Sequence, residues 1–331
     1  MYYTEKLREI KISNIIKSLY LPSFFYALLV VFIPWEIILK QAINSSFQDR
    51  YVYVNYIQSG LNIINYSDFN SIFDYISKEY LWHFMLKELV QNDLVSVNVF
   101  FDLISFFYFY VSSLLCLKYK KWWALFFLIN PLTVNLAFSQ IRNAFSIALL
   151  ISAFLSRHKI ISILCLILSC FIHTSSVLFI SIYFFVVFIY NLLKNHKPYY
   201  IILSCVLGGF TIGLLISLFS QDILSALGDR RANYNAPSSS ILFLSFWIIL
   251  FFLCVLDSGT YYKNIIHLLT IFILAWVIIQ FMFGGYSNRI IACGYPLFLI
   301  TALDGKGLVG RVIFIFYIVY SLSQWIFWLQ I

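Results

Sequence analysis

The sequence predicts an all-α polytopic membrane protein of about eleven transmembrane helices, with ten to twelve as the range. Three observations predict it. Hydrophobic residues make up 62% of the chain and charged residues only 11%, against about 25% charged in an ordinary soluble domain. Mean hydropathy is +0.88. Long apolar runs recur through the 331 residues, and every short basic turn between them falls on one side of the membrane. A β-barrel would need stretches of about ten residues with alternating polarity, whereas runs such as 199–219 and 241–256 are apolar throughout.

Hydropathy and helix breakers place the spans near 19–39, 96–117, 122–138, 142–156, 160–173, 174–191, 199–219, 241–257, 265–284, 289–303 and 312–330. The first run is too long for a signal-peptide core and follows a charged segment, so it is expected to be an uncleaved first span. The segments opening at 142 and 160 are short for a bilayer about 30 Å thick, which needs about 20 helical residues. They are expected to be broken or tilted, or 160–191 to be divided differently.

Orientation follows from the basic loops. Lys6, Arg8, Lys11, Lys17, Lys118, Lys120, Lys121, Arg157, Lys159, Lys194, Lys197, Lys263, Lys306 and Arg311 share one side, 14 of the 22 Lys and Arg. Cytoplasmic loops carry such an excess, so the N-terminus is expected inside and the C-terminus outside. The basic residues are spread over turns and form no stripe, so the pI of about 9.0 marks orientation and not a nucleic-acid partner. The six cysteines lie in or beside apolar runs without CxxC spacing, as small core residues do.

The chain reads as a single transmembrane domain over 1–331 with two external insertions. Residues 40–95 form a long loop after the first helix. Its KEYLWHFMLKEL stretch (78–89) has the amphipathic pattern of interfacial helices. Residues 220–240 form a second external loop containing GDRRANYNAPSSS.

Charged residues within spans are costly in lipid and mark functional sites. Arg142 opens a span in SQIRNAFSIALL, close to Asn135, Gln140 and Asn143. A helix start beside an arginine suits an anion; a snorkelling arginine is the plain alternative. His173 lies between two apolar runs with Thr174, Ser175 and Ser176 beside it, either as a hydrogen-bonded core histidine or as a reactive one. Arg230 and Arg231 precede Tyr234 in the second loop, and guanidinium forks grip phosphate oxygens in pairs. Arg289 follows Gly284-Gly285, where a helix can break, and Ser287-Asn288, which can cap a new one. Asp49, with Arg50 and Tyr51 after it, is a base or an arginine partner; Asp102, inside a span, is an arginine partner or bonds a hydroxyl across helices.

No HExxH, CxxC, P-loop, GxSxG or dinucleotide fingerprint accompanies these residues, and no dense carboxylate cluster for Mg²⁺. The expectation is an external site without metal or cofactor, where arginines neutralise a multiply charged anion such as a lipid-linked pyrophosphate.

FSQIRNAFSIALLISAF, a basic RHK turn, a short apolar run and FIHTSSVLF together resemble the EpsG-like or Wzy-type O-antigen polymerase family. The family's Q-x-R-x-x-x-A and F-x-H-x-S motifs fall on Gln140, Arg142, His173 and Ser175. Its early D-x-Y-x-x-Y-like stretch resembles Asp49, Tyr51, Tyr53 and Tyr56, and KEYLWHFMLKEL is similar to its E-x-L/G segment. The likeness covers residues 45–180; the usual Ala of the Arg helix is displaced to the Ser146/Ala148 region, and the matches at Arg230, Arg231 and Arg289 are loose.

The resemblance implies a GT-C-like membrane glycosyltransferase in a bacterial inner membrane, with its active site facing the periplasm. Its substrates would be undecaprenyl-pyrophosphate-linked oligosaccharides, polymerised with inversion and release of undecaprenyl pyrophosphate. Membrane lipid and a chain-length regulator are the implied partners. His173 and Asp49 are the candidate bases. Arg142, Arg230, Arg231 and Arg289 are the pyrophosphate ligands. Gln140, Ser175, Tyr51, Tyr234 and Asn288 support sugar or site. An O-antigen ligase would use similar residues but usually carries its large loop late in the chain. A lipid-linked sugar transporter would tend to show inverted repeats and charges near the midplane. A membrane O-acyltransferase would want a more cytoplasmic histidine.

Overall fold

The computed structural model describes residues 18–38, 47–58, 71–119, 122, 124–226, 241–261, 264–283, 287–305 and 307–329. Among them the regular secondary structure is helical throughout, and the chain divides into two compact units, residues 1–176 with 328–331, and residues 177–327.

The first unit begins with α1 (Ser18–Phe32). The segment after it carries α2 (Gln48–Gln58), α3 (Ile72–Ser77), α4 (Tyr80–Met85) and a π-helical turn over Leu86–Gln91. Ser71 caps α3: it accepts from the Asp74 backbone N–H, and the Asp74 carboxylate accepts from the Ser71 N–H in return. α5 (Val97–Tyr119) is the central helix, with Phe101, Ile104, Tyr108, Phe109 and Cys116 buried along one stripe. The amphipathic pattern of 78–89 is used here to dock the segment. Trp82 is fully buried and stacks on Phe101 at 6.3 Å, while Leu86 and Val90 continue the same apolar face onto Phe100 and Ile104. Burying a tryptophan face contributes on the order of 2–3 kcal/mol, so this segment is a packed part of the unit.

α6 (Ala124–Leu128), α7 (Pro131–Phe138), α8 (Ile141–Leu155) and α9 (Lys159–Ile172) complete it. The span expected at 122–138 is two short helices. Asn130 and Pro131 cause the division: the Asn130 carboxamide oxygen accepts from the Leu132 N–H, and Pro131 sits at the first helical position. The chain bends by 104° between α7 and α8. Ser139 and Gln140 form the corner, and Ser105 of α5 donates to the Ala137 carbonyl at 2.7 Å just before it. α9 returns against α8 and ends at His173, whose extended backbone (φ −154°, ψ 127°) stops the helix.

α10 (Ser175–Leu193) leads into the second unit, which holds α11 (Pro198–Ala226), α12 (Ile241–Tyr261), α13 (Ile265–Phe283), α14 (Ser287–Asp304) and α15 (Gly307–Leu329). α13 is its buried centre. α11 approaches α13 closely because a side chain at Gly209 would stand 2.4 Å from the Phe272 carbonyl oxygen, and one at Gly213 2.9 Å from that of Trp276. Small residues permit such backbone contact between apolar helices. Thr270 of α13 and Thr301 of α14 share a buried hydroxyl contact at 2.9 Å.

Five described helices are long and apolar enough to cross a membrane: α5, α10, α11 over Pro198–Phe219, α13 and α15; the bent α7–α8 pair makes a sixth if it counts as one span. Ser18–Phe32, Lys159–Ile172 and Phe243–Leu256 are shorter apolar helices. The exposed faces of these helices carry Leu, Ile and Phe, including Phe188, Leu207 and Phe327. The chain is a helical membrane protein.

Candidate functional site

The polar centre of the first unit is built where three chain breaks meet. The first is the turn between α3 and α4. Its Glu79 has left-handed backbone (φ 52°, ψ 48°) and a side chain only 4% exposed. A residue with a Cβ carries strain in that conformation. The second is the α7–α8 corner, which projects Arg142 from the first turn of α8. The third is the end of α9 at His173.

The Glu79 carboxylate joins the other two. Arg142 Nη1 donates to Glu79 Oε2, and His173 Nδ1 meets Glu79 Oε1. Thr174 Oγ1 donates to the same Oε1 at 3.4 Å. A buried carboxylate needs a countercharge and hydrogen bonds, and Arg142 with His173 and Thr174 supplies them. The guanidinium lies over the Tyr53 ring of α2, 5.2 Å from its centroid. Tyr53 in turn meets the buried Trp82 edge-on at 5.3 Å. The packed aromatic layer beneath the segment therefore also fixes the arginine.

The chemistry open to this cluster follows from its donors. An ionised carboxylate only accepts, so the proton between Glu79 and the ring sits on His173 Nδ1; in the neutral ring the lone pair is then on Nε2. Arg142 keeps further N–H groups beyond the one given to Glu79. A proton acceptor and a cation are thus held by one carboxylate. Among the described residues, no three His, Cys, Asp or Glu side chains are grouped as a metal site.

Other predicted residues fall around this centre or away from it. Gln140 stands at the corner, its carboxamide oxygen accepting from Asn143 Nδ2 at 3.3 Å. Ser175 starts α10, and its buried Oγ has no hydrogen-bond partner among the described residues. Ser176 Oγ pairs with Ser146 Oγ of α8 at 2.7 Å. Asp49, half-buried, and Tyr51, exposed, lie on α2. Asn288 and Arg289 open α14 in the second unit, Asn288 exposed and Arg289 partly buried. Arg230, Arg231 and Tyr234 lie outside the described residues.

A second ionic group ties α2 to α5. Arg50 Nη1 donates to Asp102 Oδ1 at 3.0 Å and Nη2 to Asn98 Oδ1 at 3.2 Å, with the guanidinium 5.6 Å from the Phe101 centroid. Glu36 approaches Arg50 Nε at 4.0 Å. Asp102 is therefore an arginine partner.

Glu79 is absent from the candidate site residues read from the sequence, although its stretch is the one likened to an E-x-L/G segment. It is the first of the two acids of the KEYLWHFMLKEL segment, three residues ahead of the buried Trp82. Its place in that E-x-L stretch, at the start of an amphipathic run that ends up packed, is the signal that points to it.

No family model, no curated protein and no solved structure matches this chain.

Proposed function

We propose that the chain is a membrane glycosyltransferase that polymerises undecaprenyl-pyrophosphate-linked oligosaccharide repeat units, of the kind the EpsG-like and Wzy-type polymerases handle. The observation that carries this reading is the meeting of Arg142 and His173 on one buried carboxylate. Those two residues head the two motifs through which the chain resembles that family. A base and a cation side by side are what the transfer needs.

In this reading the growing glycan on its lipid pyrophosphate is the donor, and a hydroxyl of a single lipid-linked repeat unit is the acceptor. The hydroxyl oxygen attacks the anomeric carbon and gives its proton to His173 Nε2 or to Asp49. The bond from the anomeric carbon to the phosphate oxygen breaks, and its electron pair leaves with undecaprenyl pyrophosphate. Attack opposite the leaving group inverts the anomeric centre. Arg142, with Arg230, Arg231 and Arg289, counters the charge that grows on the departing phosphate. Histidine suits the base role because its intrinsic pKa lies near neutrality. Gln140, Ser175, Tyr51, Tyr234 and Asn288 contribute sugar contacts or support. The same reading adopts the eleven-span topology with the N-terminus in the cytoplasm, a GT-C-like architecture, a bacterial inner-membrane location and a site on the periplasmic side. It also takes a chain-length regulator as partner.

The test is the glycan profile of the source bacterium. A deletion strain is expected to make only single-repeat glycan, and Arg142→Ala or His173→Ala should reproduce that profile with the protein still inserted. Free long polymer accumulating in the deletion strain would instead assign a ligase. Normal chain-length ladders in both point variants would remove these residues from the site.

A further inference from the structure

We infer that Glu79 is the positioning carboxylate of this site, fixing the His173 ring with Nδ1 protonated and Nε2 as proton acceptor while holding Arg142 beside it. This rests on the glycosyl-transfer reading above.

Four features of the residue converge on the role. Its carboxylate divides its oxygens, Oε1 to His173 and Thr174, Oε2 to Arg142. It is buried, so its charge needs paired partners such as these. Its backbone is held left-handed, a conformation that persists for a side chain only where the surroundings over-determine it. Its partners come from 63 and 94 residues further along the chain, from two different helix ends. A carboxylate serving only to fasten the α3–α4 turn would need one cation; this one also selects which nitrogen of a histidine bears the proton.

The step balances. The acceptor hydroxyl proton passes to His173 Nε2 as its oxygen bonds to the anomeric carbon, and the phosphate oxygen leaves with the old bonding pair. The imidazolium so formed donates through Nδ1–H to Glu79 Oε1, so the carboxylate offsets the new charge while Oε2 stays on Arg142. The Nε2 proton then goes to water or to the released pyrophosphate, and the ring returns to its starting tautomer. The ionisable groups that face the ring include Glu79 from the α3–α4 turn and, through it, Arg142 from α8.

The experiment uses membrane vesicles carrying the full chain, fed with lipid-linked repeat units extracted from the deletion strain. Initial polymerisation rates are measured from about pH 5 to about pH 9, a range that brackets histidine titration, for the wild type, Glu79→Gln, Glu79→Asp and His173→Ala. Glu79→Gln is expected to lose about 10²- to 10⁴-fold in kcat with little change in KM, as when a base loses its orienting carboxylate. The acidic limb of its residual activity should move to lower pH, because an imidazolium without a carboxylate neighbour gives up its proton more readily. Glu79→Asp keeps the charge on a side chain one methylene shorter, so it should restore part of the rate and place the acidic limb between those of the wild type and Glu79→Gln. Should Glu79→Gln fail to accumulate, Glu79→Asp decides: a limb displaced to lower pH supports the role, and a reduced rate on an unmoved limb overturns it. A well-inserted Glu79→Gln with the wild-type rate, or with a lower rate on an unmoved acidic limb, makes Glu79 a fastener and overturns the inference. Wild-type vesicles that form no polymer defeat the glycosyl-transfer reading itself, whatever the variants do.

Discussion

Two arginines in the first unit each reach a carboxylate, and the two pairs are built differently. Arg50 leaves α2 and meets Asp102 on α5; Asn98, one helical turn before Asp102, takes the other end of the fork. Both partners sit on a regular helix, and the Asp102 side chain is 43% exposed. Arg142 meets Glu79 in a strained turn, where the carboxylate is 4% exposed and shared with a histidine. The first arrangement asks only that two helices lie together. The second asks for a specific backbone conformation and a specific ring tautomer. The difference teaches that burial of an arginine does not by itself mark a site. What distinguishes the Arg142 group is a titratable ring on the same carboxylate.

The comparison is broken most sharply by substituting lysine for each arginine. Lysine keeps the charge but loses the fork and the flat face that covers an aromatic ring. Arg142→Lys is expected to lower the vesicle polymerisation rate by about 10²-fold, the usual loss for one well-placed donor to a developing anion. Arg50→Lys should stay within about threefold of the wild type, since a partly exposed pair is worth little. Equal losses in the two variants would erase the functional distinction between the pairs.

Much of this contrast was already readable in the chain, and the unread part has physical causes. Arg142 and His173 stand out because a charge or an imidazole amid apolar runs is rare. The α7–α8 corner falls at the break expected between the spans at 122–138 and 142–156, whereas Pro131 splits the helix expected at 122–138. Glu79 was hidden for two reasons. It lies in a polar segment with a second acid, Glu88, where a charge is not out of place. Its left-handed backbone has no glycine to announce it, because tertiary contacts hold it there. The docking of 78–90 on α5 was likewise visible only as amphipathicity; the Trp82–Phe101 stack that turns an interfacial pattern into a packed one is a contact between distant residues. The match of Asp102 to Arg50 rather than to Asp49's neighbourhood in general required knowing that α2 lies along α5.

The second pair sharpens the comparison through stability. Asp102→Ala leaves the Arg50 guanidinium, 10% exposed, with Asn98 and Phe101 but without its close carboxylate. Breaking a fully buried pair costs about 3–5 kcal/mol; the exposure of Asp102 discounts this to about 2 kcal/mol. The melting temperature of the detergent-extracted protein should fall accordingly, while chain-length ladders in cells stay normal. Loss of long chains at unchanged melting temperature would move Arg50 and Asp102 into the site.

The smallest expected effect probes how rigidly the site's two helix ends are joined. Ser146 lies four residues after Arg142 and so on the same face of α8, and Ser176 lies three residues after His173. Their hydroxyls meet at 2.7 Å, both buried. Ser146→Ala strands the Ser176 hydroxyl and should cost about 1 kcal/mol in stability, whereas removing both hydroxyls leaves nothing unpaired and should cost less than the two single changes together. Melting of the two single variants and the double variant measures the coupling. Polymerisation should follow stability alone, because Glu79 already holds Arg142 and His173 together. A rate loss in Ser146→Ala that exceeds its loss of folded protein would mean the hydroxyl pair also sets the spacing of base and cation, and the division between fastening contacts and site contacts would then run through α8 rather than between the two arginines.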